Sequence, residues 1–464
     1  MFIIYNQLHR NGEVMVSQII ALAIFITMFA VIISGKVERH IPALIGAALT
    51  LIVVFGICMH SMQAVAETLN VGCFAKIGFW YAPGSHEESS VGINWSTIVF
   101  FLGMMIMVEG MGISGFFRWI CLRLAKIVNY KVIPLFLSFM FLSAFLAMFI
   151  DSITVVLFMA AITVELSQIL KFNPIHMILP EIFCSNIGGA ATMSGDPPNI
   201  IVGTSLGLTF MDFVKNTGLL VWLSMIIIMI YFFLCFGKKL QANKDKVVIT
   251  QALDPKYAIA DVPRFIASTA VFLIIVVLLV THAQTGITVA AIGVIAAVLT
   301  FIIFVRNNKV ILKKVDWNTV LFFVGLFVVV GGLEQTGILT TLAEFIGRVS
   351  GGNAMIMIAV ILWVSAVASA VIDNIPFAAT MVPVIKMLSA THGIDIQTLA
   401  WTLSLGTDIG GNATPIGASA NVVGTSIADK SGHHISWGTY CKYAFPATVL
   451  ELAICTIYLF VRYL

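Results

Sequence analysis

The chain says one long phrase twice, and that repetition constrains its fold more than any other feature. Residues 185–199 read SNIGGAATMSGDPPN and residues 407–421 read TDIGGNATPIGASAN. Each interrupts an apolar stretch and has the layout of a helix that stops and restarts. A glycine pair ends the first half (Gly188 and Gly189; Gly410 and Gly411), and an asparagine caps the second (Asn199; Asn421). The register is constant: Asp408 follows Asn186, Asn421 follows Asn199, Asp373 follows Asp151 and Trp317 follows Trp95, each by 222 positions. NWSTIVFFLG (94–103) matches DWNTVLFFVG (316–325), and IDSIT (150–154) matches IDNIP (372–376). One offset held across four motifs marks an internal duplication.

The setting of the breaks gives them meaning. The chain is 60% hydrophobic and 10% charged, whereas charged residues make up about a quarter of an ordinary soluble domain. This is the composition of an all-α polytopic membrane protein. In lipid a free backbone N–H or C=O costs several kcal/mol, so a broken helix survives only where protein or a cavity uses the freed groups. Paired breaks in corresponding halves point to a transport site. The net charge of +3 is small and scattered, which gives no footprint for a nucleic acid. The seven cysteines form no CxxC and read as small core residues rather than disulfides or metal ligands. The first apolar run, 16–35, is long enough to span and lacks a small-residue cleavage site, so it reads as a span rather than a signal peptide.

Apolar spans are expected at 16–35, 41–60, 95–115, 218–236, 265–282, 285–304, 318–338 and 440–461, with the breaks inside two longer stretches, 176–209 and 397–428. Counting each broken helix as one crossing, the basic residues fall on one side, which the positive-inside rule makes cytoplasmic. The hydrophilic linker 237–264 is then cytoplasmic, and the segment 62–94 and both termini face outward. An odd number of crossings between Trp95 and Trp317 makes the two copies upside down relative to each other: an inverted-topology repeat. Stretches 132–170 and 354–390 are apolar limbs around the polar tips Asp151-Ser152 and Asp373-Asn374. Either two full spans or a re-entrant hairpin fits each. The amphipathic segments before them, 117–131 and 339–353, fit helices lying along a membrane surface.

Acids within spans are expensive and are functional candidates by default. Asp151, Asp373, Asp196 and Asp408 sit at tips or breaks; Glu109, Glu181, Glu334 and Glu451 are less well placed. A carboxylate among freed backbone groups can coordinate Na+ or take up a proton. Asp151 and Asp373 fit a second role equally, as N-caps. Asp408 is the stronger candidate, because its counterpart is the neutral Asn186 and the duplicated architecture does not demand charge there. Asn199 and Asn421 open half-helices whose positive ends suit an anion or a polar solute. Thr192, Ser194, Asn412, Thr414 and Ser419 add hydroxyl and amide groups, each also able to serve the local backbone. Neither break contains Lys or Arg.

At these motifs the chain resembles the ion transporter superfamily, in its arsenite-permease, sodium/proton-antiporter and P-protein branch (the ArsB/NhaD-type permeases), related to citrate and dicarboxylate transporters. The resemblance covers nearly the whole chain. It implies a homodimer in the cell (plasma or inner) membrane and re-entrant hairpins at 132–170 and 354–390. It also implies an elevator, with 1–131 and 265–353 as scaffold and 132–236 and 354–464 as the moving transport domain. Carried over by position, the tips are Asp151-Ser152-Ile153-Thr154 and Asp373-Asn374-Ile375-Pro376. Related dicarboxylate carriers place Ser-Asn-Thr at the tips; Asp in both copies here argues against a di- or tricarboxylate. Ser152 departs from the branch's commoner Asp-Asn pair, and the second break lacks Pro-Pro.

The expectation is therefore a secondary active transporter rather than an enzyme, an H+- or Na+-coupled antiporter for a small inorganic ion or oxyacid such as Na+ or arsenite. It needs no cofactor beyond the coupling ion, for which Asp151, Asp373 and Asp408 are the candidate sites. A Na+-coupled organic-anion symporter is the first rival. An intramembrane aspartyl hydrolase built from Asp151 and Asp373 is a remote one, since the chain has no GxGD motif. A channel suits an inverted repeat with midplane breaks less well than alternating access does. Cys184 beside the first break is an available thiol for As(III), although a lone cysteine in an apolar span ordinarily packs.

Overall fold

The computed structural model describes residues 2–83, 92–240 and 254–464. Among them the regular elements are helices, and the β structure is limited to one isolated antiparallel bridge between Tyr81 and Ile287. The first half runs through α1 (Phe2–Ser34), α2 (His40–Cys58, π-wound from Thr50), α3 (Trp95–Ser114) and the amphipathic α4 (Phe116–Ile127). It continues with the hairpin α5 (Val132–Ala147) and α6 (Ser152–Leu170), the broken pair α7 (Ile175–Gly189) and α8 (Pro197–Leu206), and α9 (Phe210–Phe236). The second half runs through α10 (Val262–Thr285), α11 (Val289–Ile303), α12 (Trp317–Gln335) and the amphipathic α13 (Ile338–Ser350). Then come the hairpin α14 (Ala354–Val371) and α15 (Asn374–His392), the broken pair α16 (Ile396–Gly410) and α17 (Ser419–Lys430), and α18 (Trp437–Tyr463).

Nine helices among the described residues are long and apolar enough to cross a membrane. Each expected span has its helix, with ends shifted by a few residues. Of the linker read at 237–264, residues 241–253 lie outside the described residues, and its last residues already belong to α10, which Asp261 caps through the Arg264 amide (3.2 Å). Residues 84–91 of the segment 62–94 also lie outside them. The repeated tryptophan motif is a helix start. Asn94 accepts from the Thr97 amide (3.0 Å) and Asp316 from the Thr319 amide (3.1 Å), so each copy opens its helix with the same side-chain cap.

The halves are interlocked rather than side by side. α2 packs on α12 and α3 packs on α11, so the span before each tryptophan helix lies against the tryptophan helix of the other copy. The pieces after the breaks cross as well: α8 packs on α15, and α17 packs on α6. Glycine allows the closest approaches, as is usual where helices meet in lipid without a hydrophobic drive to associate. A Cβ on Gly103 would stand 2.0 Å from the Gly293 carbonyl oxygen, and one on its counterpart Gly325 would stand 2.6 Å from the Ala43 carbonyl carbon. Substituting Gly103 or Gly325 by Ala forces backbone apart and should lower stability by about 1–3 kcal/mol. Gly438→Ala, where the new methyl meets nothing within 4 Å, should leave the melting temperature of the purified protein unchanged or slightly raised.

Candidate functional site

Each break is built by close packing and by side chains that reach back to the freed carbonyls. α7 ends at Gly189 and α16 at Gly410, as the glycine pairs indicate. The glycines work by contact rather than by chain reversal: none of the four has positive φ. A Cβ on Gly188 would stand 2.1 Å from the Ala144 carbonyl oxygen of α5, and one on Gly410 would stand 2.3 Å from Ala366 Cα of α14. The broken helices and the first limbs of the hairpins thus touch backbone to backbone.

The asparagines are not the caps that the sequence suggests. The residues preceding the restarted helices are Asp196 and Ala418, and neither makes a side-chain cap. Asn199 and Asn421 lie one turn inside and donate backward across the gap. Asn199 Nδ2 reaches the carbonyls of Gly189 and Thr192 at 3.1 Å each, and Asn421 Nδ2 reaches those of Gly411 and Thr414 at 2.8 Å each. The last carbonyls of the first half-helix need donors, and lipid supplies none. Thr192 and Ser194 (3.2 Å) donate to the Met148 carbonyl, while Thr414 donates to the Ala370 carbonyl (2.5 Å). These hydroxyls fasten each break to the hairpin beside it.

The two breaks meet. Asn186 Nδ2 donates to both Asn412 Oδ1 and Asn421 Oδ1 at 2.8 Å, and Ser404 donates to Asn199 Oδ1. The hairpin tips meet at the same place, on the carboxylate of Asp196: Ser152 Oγ donates to Oδ1 and Asn374 Nδ2 to Oδ2, both at 2.9 Å. Asp408 is wholly buried and faces Asp196 and Asn199. Two carboxyl groups therefore share an interior lined by amides and hydroxyls. Such an arrangement calls for a proton, a cation or water between them.

The tip aspartates divide. Asp151 is held by its own helix, accepting from the Thr154 amide (2.9 Å) and hydroxyl (2.8 Å). Asp373 caps α15 through the Ile375 amide (3.3 Å), accepts from Ser419 Oγ (2.9 Å), and is ion-paired with Arg39 at 2.7 Å. Arg39 was not legible as a site residue, because it stands in the turn before α2 and its position after the 222-residue offset is Asp261. Ser404 was missed for the same reason, its counterpart being Ile182. Of the other acids, Glu181 accepts from Thr163 (2.6 Å) and Glu451 from Ser224 (2.5 Å) through one oxygen each, their Oε2 atoms being buried without a hydrogen-bond partner, and Glu109 lies 3.8 Å from Lys314. Cys184 is buried and unpaired to any other cysteine. No group of three metal-type ligands gathers among the described residues.

Replacing Asn199 or Asn421 by Asp keeps the shape and removes the donor. Either change should cost about 1–3 kcal/mol, measured as a lowered melting temperature, and the two should be alike because they lose equivalent bonds.

Residues 28–406 match the family model described as citrate transporter, CitMHS. The uncharacterized transporter Mb2703 of Mycobacterium bovis is 34% identical over 96% of this chain and 98% of its own length. The human P protein is 26% identical over 98% of this chain, which spans 61% of that longer protein. Among solved structures, the YdaH transporter of Alcanivorax borkumensis has the same fold at a TM-score of 0.57 and 13% identity, covering 89% of each chain. MtrF of Neisseria gonorrhoeae superposes at a TM-score of 0.59 and 10% identity over 87% of this chain and 84% of its own. With nine apolar helices of spanning length among the described residues, paired breaks that meet in the interior and a family match across most of its length, the chain is a multi-pass membrane transporter of the citrate transporter (CitMHS) family.

Proposed function

We propose that this transporter is a secondary active carrier, an H+- or Na+-coupled antiporter for a small inorganic ion or oxyacid such as Na+ or arsenite. The observation that carries the reading is the junction at Asp196, where both hairpin tips and the first break share one buried carboxylate beside a second, Asp408. Asp408 and Asp196 form the charged floor of the site, and Asp151 and Asp373 stand at its rim. Asn186, Asn412 and Asn421 supply amides, and Ser152, Asn374 and Ser419 line the approach; Thr192, Ser194, Thr414 and Asn199 keep the breaks open at fixed width. The crossed packing of the halves supports an inverted repeat.

In this reading α2, α3, α11 and α12 belong to the scaffold, held in a homodimer. The hairpins and broken helices slide against it as an elevator, and the linker faces the cytoplasm with both termini outside. The likeness to the P protein agrees with the branch that the break motifs resemble. A second reading, a Na+-coupled importer of a citrate-like anion, draws on the family's description and on Arg39, a cation at the rim. The acid in both tips weighs against it.

Flux in proteoliposomes separates the two. Asp408→Asn should reduce pH-dependent exchange at least tenfold, as expected for loss of a group that carries the coupling charge, about 1.4 kcal/mol or more. Undiminished, normally coupled flux would remove Asp408 from the mechanism. Citrate or succinate uptake driven by a Na+ gradient would select the importer.

A further inference from the structure

Arg39 holds a position that neither the repeat nor the break motifs account for. Its Nη1 donates to Asp373 Oδ2 and to Ser419 Oγ, and its Nη2 donates to Thr319 Oγ1, all at 2.7 Å. The guanidinium carbon lies 5.3 Å from the centroid of the Phe322 ring. Three side-chain oxygens from three separate elements thus converge on one positive charge. Asp373 comes from the tip of the second hairpin, Ser419 from the first residue of α17, and Thr319 from the first turn of α12. Arg39 itself lies outside all three, in the turn before α2.

The other tip shows what is unusual here. Asp151 occupies the same place in the repeat, yet among the described residues no cation pairs with it, and its carboxylate is closed by Thr154 alone. A capping aspartate therefore does not need an arginine. What the arginine does is join the Asp373 carboxylate and the Ser419 hydroxyl, oxygens of the kind a hard monovalent cation takes, to the Thr319 hydroxyl, which itself donates to Asp316. The cluster is also reachable: the Arg39 and Asp373 side chains retain 24% and 14% of their exposure.

We infer that Arg39 is a tethered counter-ion that competes with Na+ for the carboxylate of Asp373, so that the ion pair and the bound cation exclude each other. This rests on the carrier reading above and names the ion and one of its sites. When Na+ occupies Asp373 and Ser419, the guanidinium withdraws toward Thr319 and the Phe322 face; when Na+ leaves, Arg39 returns. Because Arg39 immediately precedes α2 and Thr319 lies in α12, two interlocked helices, while Asp373 and Ser419 belong to the hairpin and the second broken helix, the empty site is fastened across two groups of helices and the loaded site is released. A carboxylate with a hydroxyl beside it, Asp373 with Ser419, favours Na+ over a proton for this role, since a proton needs only one of those oxygens.

The test is binding of radioactive Na+ to the purified full-length protein by scintillation proximity, with choline as the competing control. A melting curve for each variant establishes that it is folded. Removing the competing charge in Arg39→Gln should tighten apparent Na+ affinity about tenfold, the scale of one charge partner's effect on a neighbouring carboxylate. Arg39→Lys should stay within about threefold of the parent, since it keeps the charge and loses the fork. Asp373→Asn should abolish binding at this site in either background. Where Arg39→Gln fails to fold, Arg39→Met, which removes the charge and keeps an apolar stem against Phe322, supplies the second arm and should also tighten binding. Unchanged or weaker Na+ binding in the folded Arg39→Gln or Arg39→Met variant, a gain in Na+ affinity on removing the Arg39 charge that survives Asp373→Asn, or no Na+ binding by any variant would each overturn the inference. Gradient-driven flux by the parent protein decides the carrier reading separately: flux indifferent to Arg39 sinks the counter-ion alone, and absent flux sinks the carrier reading while the binding arms still report on Arg39.

Discussion

The rest of this structure depends on the fate of the backbone groups freed where α7 and α16 stop. A helix end buried without partners is unfavourable in any protein and far more so where no water reaches it. The chain answers with side-chain amides that point backward: Asn199 to Gly189 and Thr192, Asn421 to Gly411 and Thr414. Threonines then pin each break to the adjoining hairpin. Once those carbonyls are satisfied, both interruptions can be buried, and Asn186, Asn412 and Asp196 are left to bond across the centre.

The duplication separates two kinds of position. Most of those that bond to or pack on backbone are the same in both copies: Thr192 and Thr414, Asn199 and Asn421, and the close-packed Gly188 and Gly410; Ser194, opposite Ile416, is an exception. Several that meet side chains at the centre have diverged: Asn186 opposite Asp408, Ser152 opposite Asn374, Asp196 opposite Ala418. The first set is fixed by geometry that both halves must satisfy. The second is free to differ, and its differences make one asymmetric polar centre from two equivalent frames. Asp196 illustrates this, since its two oxygens take one donor from each hairpin tip.

Much of this was readable from residues alone. The spans followed from apolar length, the breaks from glycine and polar runs, and the hairpin limbs from the acids at their tips, because each is a local property of the chain. The role of Asn199 and Asn421 was misread as capping, since a capping asparagine and one that donates back across a gap look alike in sequence. Asp196 was found among the candidates, but its standing as the meeting point of both tips depends on packing between residues 178 positions apart. Arg39 was invisible: it sits in a short charged turn, outside the repeat register, and only the crossing of α2 over α12 brings it to Asp373, 334 positions away.

That crossing has a further bearing on how the molecule comes into being. Because α2 rests on α12 and α8 on α15, the first half leaves the ribosome without the surfaces that cover it. Its small-residue seams and its half-finished polar centre must wait in the bilayer until the second half has been inserted. Assembly is thereby a late, long-range event, paced by synthesis of the last helices. The same exchange of partners describes what two identical ancestral subunits would have shared across a symmetric interface before they were joined into a single polypeptide.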